Sequence, residues 1–333
     1  MLQQLILALW AIVLAIGLSA LFFIGSNLLL DRVLTSDHLR DDDARSQRDD
    51  IRESIRPWIF IGPALLLLAL YLVVPVFYTL WLSLNSRGEF VGFANYLWAF
   101  NNRGFQISVR NNLLWLFVVP TFSTIFGLLI AYLTDRMWWR NIARSLIFLP
   151  MAISFVGASV IWRFIYDYRG PGDDQIGLLN AVVVALGGDP QAWIALQPLN
   201  NFLLMAIMVW IQTGFAMVLL GAAIRGVPED TIEAANMDGA NEIQMLFKIV
   251  IPQVWGTIVV VWTTITVLVL KIFDVVLAMT NGQWQTQVLA NLMFDIMFRA
   301  GDFGRGSTVA VFIMLAVLPI MWWNVRQARK EMG

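Results

Sequence analysis

The sequence contains no cysteine, one histidine (His38) and three lysines (Lys248, Lys271 and Lys330). Without cysteine there is no disulfide, thiol nucleophile, iron–sulfur cluster or thiolate zinc site. One histidine cannot make a His-rich metal cluster or a His-pair catalytic site. No catalytic residue, metal ligand or cofactor is therefore assigned. None of the lysines follows a glycine, so the Gly-Lys-Ser/Thr of a phosphate-cradling loop is absent. Charge is scarce as well. Only 14% of the 333 residues are Asp, Glu, Lys or Arg, where soluble domains carry about 25%. The net charge of −1 leaves no basic footprint for nucleic acid.

Apolar residues are abundant: 59% of the chain is hydrophobic, with a mean hydropathy of +0.71. That composition needs surface that never meets water. A helix requires about 20 apolar residues to cross about 30 Å of hydrocarbon. Seven stretches qualify: Leu2–Leu30, Pro57–Leu84, Asn112–Thr134, Ser145–Tyr166, Phe202–Ile224, Gln253–Thr280 and Ser307–Val325. The chain reads as an all-α integral membrane protein of about seven transmembrane helices in contact with lipid. The first stretch lacks a basic leader and a small-residue cleavage site, so it reads as a retained span.

Four segments (31–56, 135–144, 225–252 and 326–333) hold 14 basic residues, against 6 in the N-terminus and the remaining loops. The positive-inside rule places the C-terminus in the cytoplasm and the N-terminus outside. The domain reading is an N-terminal span (1–30), a charged cytoplasmic segment (31–56) and a six-span core (57–330). Segment 31–56 mixes Asp41, Asp42, Asp43, Arg45, Arg48, Asp49, Asp50, Arg52 and Glu53. It is expected to be a solvated helix or linker, with a docking surface as the sharper alternative. Trp58, Trp81, Trp138, Trp139, Trp322 and Trp323 fall at span ends, as headgroup anchors do.

The loop 225–252 carries the most information. Pro228 suits a first helical position, and Glu229 and Asp230 in the first turn oppose the helix dipole favourably. Ala234 and Ala235 keep one side thin. Gly239 supplies the φ > 0 turn that stops the helix. Asn241 with Gln244 is expected to cap a second short helix that closes before Pro252. The result is a projecting elbow with an acidic front.

Glu233-Ala234-Ala235, three residues, Gly239, nine residues and Ile249-Val250-Ile251-Pro252 resemble the EAA loop of bacterial ATP-binding-cassette (ABC) importer permeases. That pattern is EAA-x3-G-x9-I-x-L-P, and Ile251 in place of Leu is its only departure. Phe273-Asp274 with Thr280-Asn281-Gly282, and Phe90 to Tyr96, resemble further segments of carbohydrate-type permeases. Gln283 and Trp284 stand where Gly and Pro commonly follow. The likeness spans roughly 57–330, and the added N-terminal span is similar to the alpha-glucoside branch of the maltose-permease-like subunits.

The resemblance implies a six-helix permease core plus one extra helix, in a bacterial inner membrane. It implies that Glu233, Ala234, Ala235, Gly239, Ile249 and Pro252 couple the chain to an ATP-hydrolysing subunit, so ATP hydrolysis itself lies elsewhere. The implied partners are a second permease, two ATP-binding subunits and an external sugar-binding protein, and the implied cargo is an alpha-glucoside such as maltose, sucrose or trehalose. By the same likeness, sugar contacts fall on spans five and six. Trp210, Gln212 and Phe215 lie on span five, while the equivalent polar positions of span six are apolar here (Ile265, Leu268, Val269 and Ile272), so Thr263 and Thr264 are span-six candidates by residue type alone. The competing reading for Thr263, Thr264 and Thr266 is hydrogen bonding back to their own helix. Lys271 and Asp274 are expected on one helix face as a mutual ion pair, with a gate or sugar contact as the alternative. Arg163 reads as snorkelling. A different class, an ion-coupled secondary transporter of a small polar solute, needs intramembrane carboxylates, and Asp274 is the one candidate. A membrane enzyme would need clustered catalytic groups that the chain lacks.

Overall fold

The computed structural model describes residues 2–33, 42–135, 137–170 and 172–332. His38 and Asp41, within the charged segment, lie outside the described residues. The chain forms two compact units, Met1–Tyr78 and Thr79–Gly333.

The first unit holds α1 (Leu2–Val33), α2 (Asp42–Leu68) and the first half of α3 (Val74–Ser83). Helix α2 starts inside the charged segment and runs unbroken past Pro57, the expected start of the second span. Between α2 and α3 the helix widens to a π turn at Ala69–Val73. Pro75 explains it: proline has no N–H, and its ring collides with the carbonyl four residues back. Within this unit Phe23 stacks on Phe60 with centroids 5.5 Å apart, and Arg56 donates to Asn27 Oδ1 at 2.9 Å. The apolar windows of both spans bury no residue. Their side chains face outward, as only a nonaqueous surrounding permits.

The second unit opens with a hairpin, β1 (Asn85–Ser86) against antiparallel β2 (Glu89–Phe90). Its two-residue turn, Arg87-Gly88, has φ of 50° and 90°, the pair of positive values a twisted hairpin favours. Then come α4 (Ala94–Asn101), α5 (Arg103–Thr134), α6 (Arg140–Phe148), α7 (Phe155–Ile165), α8 (Leu178–Ala185) and α9 (Leu199–Arg225). They are followed by α10 (Glu229–Met237), α11 (Glu242–Gln244), α12 (Ile251–Gln253), α13 (Trp255–Leu270), α14 (Asp274–Met279), α15 (Leu289–Phe294) and α16 (Phe303–Met332).

The core of this unit is the seam between α5 and α9, where Trp115 and Val119 meet Leu204, Met205 and Met208. Gly127 lets the two backbones touch: a Cβ there would stand 2.8 Å from the Met217 amide nitrogen. Gly214 does the same for α9 against the Ile147 carbonyl of α6. Small residues at crossings are how helices in lipid gain packing, because burial away from water contributes little there.

Two expected spans are not single rods. The stretch 145–166 turns through 104° between Ala152 and Phe155. Pro150 tightens the end of the first arm into a 3-10 turn, Ile153 is extended, and Ser154 caps the second arm by accepting from the Gly157 amide at 3.1 Å. The stretch 253–280 ends its helix at Leu270 and restarts at Asp274, where α14 packs on α7. Lys271 and Asp274 are therefore not on one helix face, and no ion pair joins them. Five continuous helices are long and apolar enough to cross a membrane, and the two bent pairs raise this to seven among the described residues.

Candidate functional site

The elbow forms from local chemistry. Helix α10 begins one residue later than the sequence implies, because Pro228 is its N-cap and Glu229 its first residue. Its far end closes as a Schellman turn. The Gly239 amide donates to Asn236 O and the Ala240 amide to Ala235 O, both at 3.0 Å, with Gly239 at φ 79°. A capping box opens α11: Asn241 Oδ1 accepts from the Gln244 amide at 2.9 Å and Gln244 Oε1 from the Asn241 amide at 3.0 Å. A π turn at Met245–Val250 then precedes Pro252, the same proline effect seen before α3.

Glu233 and Ala234 are exposed and Ala235 is buried against the elbow's second arm. The Glu233 carboxylate has no partner among the described residues. Ile249 is half-buried and Pro252 exposed. Met237, Ile243 and Phe247 add an apolar rim, with Met237 89% exposed. An exposed carboxylate beside bare apolar side chains is the composition of a candidate docking surface.

Two links that sequence reasoning did not find hold the elbow to the bundle, one from Tyr132 to Glu242 and one from Asp135 to Arg225, where the elbow begins. Tyr132 of α5 donates to Glu242 Oε2 at 2.9 Å. Asp135 pairs with Arg144, and its same oxygen lies 3.8 Å from Arg225. The elbow's second arm meets α13 at 75°.

The residues proposed for cargo separate into two places. Gln212, Phe215 and Thr264 line one cleft of about 190 Å³, with Met151 and Phe155 from the broken span and Ile265 and Leu268 opposite. Gln212 is 5% exposed and its amide makes no hydrogen bond among the described residues. Thr264 is bonded to Val260 O at 2.7 Å. Thr263 is buried and bonded to Val259 O and Val260 O at 2.9 and 3.0 Å, away from the cleft. Thr266 bonds back to Trp262 O in the same way. Trp210 is on the other side of α9, edge-on to Trp162 at 5.7 Å, lining a larger apolar cavity of about 660 Å³ with Phe122, Phe126 and Thr213. That larger cavity offers almost nothing to a polar cargo, so the smaller cleft is the better candidate.

Comparison with known proteins fits this geometry. Residues 123–331 match the model of the family described as binding-protein-dependent transport system inner membrane component. Over 99% of both chains, the sequence is 62% identical to the alpha-glucoside transport system permease protein AglF of Rhizobium meliloti. The chain belongs to that family. The family is that of ABC transporter permeases, and its core is the bundle described above. The osmoprotective compounds uptake permease protein GgtC of Synechocystis is 50% identical over 82% of this chain and 99% of its own. Among solved structures, a bacterial alginate ABC transporter with its alginate-bound periplasmic protein gives a TM-score of 0.73 at 17% identity. It covers 85% of this chain and 96% of the matched one. This permease thus shares the fold of a chain in that complex.

Proposed function

We propose that this permease is the membrane subunit of an ATP-driven importer of alpha-glucosides, with the elbow as the seat for an ATP-binding subunit. The observation that carries the reading is the elbow itself: a capped protrusion whose Glu233 has no partner among the described residues. An arginine or lysine of an ATP-binding subunit is the natural complement. The name of the relative at 62% identity supports the sugar class. The unpaired amide of Gln212 beside the Phe215 ring is chemistry that suits hydroxyls on an apolar-faced ring. A second permease, two ATP-binding subunits and an external sugar-binding protein complete the assembly. ATP hydrolysis belongs to the ATP-binding subunits. The chain sits in a bacterial inner membrane with its N-terminus outside and its C-terminus cytoplasmic, as the basic segments dictate. The extra N-terminal span and segment 31–56 precede a core running from 57 to 330.

A second cargo class is supported by the GgtC relative, whose name specifies osmoprotective compounds. Uptake of labelled maltose, sucrose and trehalose by cells lacking the chain, with and without its restoration, separates the two. Loss and rescue of disaccharide uptake is the expected result. Unchanged uptake of all three removes the alpha-glucoside assignment and turns the assay to polyols.

A further inference from the structure

A second polar cleft lies at the end of α9 remote from the elbow. The turn after α7, the segment before α9 and the loop 281–288 enclose about 250 Å³. Its walls carry Trp193, Trp284, Tyr166, Tyr168, Arg163 and Asp167. Two of the rings are held by hydrogen bonds: Trp193 Nε1 donates to Asn180 Oδ1 at 2.8 Å, and the Tyr166 hydroxyl to Leu203 O at 3.0 Å. Asn180 is fully buried and also donates to Asp167 O and Gln191 O, so it fastens the two segments together.

Trp284 is presented deliberately. Asn281, Trp284 and Gln285 all have φ between 51° and 61°. Such non-glycine conformations cost about 1–3 kcal/mol each and persist only where surrounding contacts impose them. Here Asn200 holds the Trp284 carbonyl at 2.9 Å, and Asn111 holds those of Gln285 and Gln287 at 2.7 and 2.8 Å. Trp284 stays 44% exposed and lines the cleft. Arg163 and Asp167, one turn apart, have side chains with no ion pair or hydrogen bond among the described residues. Snorkelling alone explains neither the facing carboxylate nor the four rings.

Flat aromatic faces take the C–H faces of a sugar ring, and a guanidinium or carboxylate takes adjacent hydroxyls in pairs. The volume is below the roughly 300–1,000 Å³ of sites that enclose a whole small molecule, so it suits one ring. We propose that this cleft is a separate subsite for one glycosyl ring of the cargo, with Trp193 and Trp284 stacking and Arg163 and Asp167 binding hydroxyls. The proposal rests on the sugar-importer reading above.

The test uses the assembled transporter in proteoliposomes, supplied with labelled maltose, trehalose and sucrose singly and in pairwise competition. Trp284→Ala and Asp167→Asn are expected to reduce uptake at subsaturating sugar by about 3- to 10-fold, the range of one aromatic contact. They are also expected to change the preference among the three sugars, and Trp284→Phe, which keeps a stacking face, is expected to recover most of the loss. An equal fall for every sugar, with preferences unchanged, assigns the cleft to protein docking and overturns the subsite. Unchanged uptake overturns it too. Wild-type transport of none of the three removes the sugar-importer reading and this subsite with it. Should Trp284→Ala not accumulate in the membrane, Arg163→Gln, at an exposed side chain whose loss removes no internal contact, decides the question.

Discussion

Gly127 offers the most direct trial of how the bundle is held. A methyl group there would meet the Met217 amide nitrogen at 2.8 Å and the Ala216 carbonyl carbon at 2.9 Å, besides the Ala216 Cβ itself. Ordinary contact needs about 3.5 Å, so α5 and α9 must part by at least about 0.7 Å, and further to clear the Ala216 Cβ, or bend. The obstructing atoms are backbone and an alanine Cβ, none of which can rotate away. Overpacking of this kind costs about 1–3 kcal/mol, and the helical gain of alanine over glycine returns about 0.5–1 kcal/mol. The net loss for Gly127→Ala is about 1–2 kcal/mol, a fall of roughly 2–8 °C in the unfolding midpoint for a unit of this size. Tryptophan fluorescence of the purified chain in detergent, followed on heating, measures it. Gly17→Ala is the internal control: no atom lies within 4 Å of a Cβ in that helix, so its midpoint does not fall. A Gly127→Ala protein as stable as wild type would refute the claim that the seam is set by backbone contact.

Four further outcomes are expected. Glu233→Lys leaves the unfolding midpoint within the change of about 0.5 kcal/mol typical of surface sites but uncouples ATP hydrolysis from transport; normal sugar uptake by this variant would sink the assignment of Glu233. At Gly239, where only the positive φ constrains the residue, transport per ATP should fall from Gly to Asn to Ala to Val, and a flat series removes the turn from the coupling argument. Gln212→Leu removes an amide with no hydrogen bond among the described residues, so stability holds while uptake falls; undiminished uptake would take Gln212 out of the cargo path. Tyr132→Phe breaks the bond to Glu242 and should speed amide exchange across 229–252, with unchanged exchange showing that the tether carries no load.

Much of this architecture can be read from residue types. Which residues leave water follows from apolarity, so all seven stretches are helical in large part. The elbow is legible because its instructions are local: Gly239, the Asn241–Gln244 box and Pro252 each act on neighbours within four residues. Continuity is harder to read. Window averages smooth over Pro150 and Ser154, the residues that end one arm and cap the next, and nothing apolar distinguishes Lys271–Phe273 as a break. Pairing Lys271 with Asp274 assumed a helix that stops at Leu270. Grouping Trp210 with Gln212 neglected helical geometry, since residues two apart point about 200° from each other. The tether from Tyr132 to Glu242 and the clasp of Asn111 and Asn200 on the loop 281–288 join residues far apart in the chain.

The corner at Val254 has a mechanical meaning. An arm set at 75° to a rod transmits only about a quarter of an axial push along the rod, and nearly all of it crosswise. A load on the elbow would therefore tilt α13 sideways instead of driving it like a piston. Thr264, Ile265 and Leu268 ride on that helix and form one jaw of the cleft, while Gln212 and Phe215 form the other. On the coupling role proposed above, the capped elbow is the handle of a pair of tongs whose opening is set by angle, not by stroke.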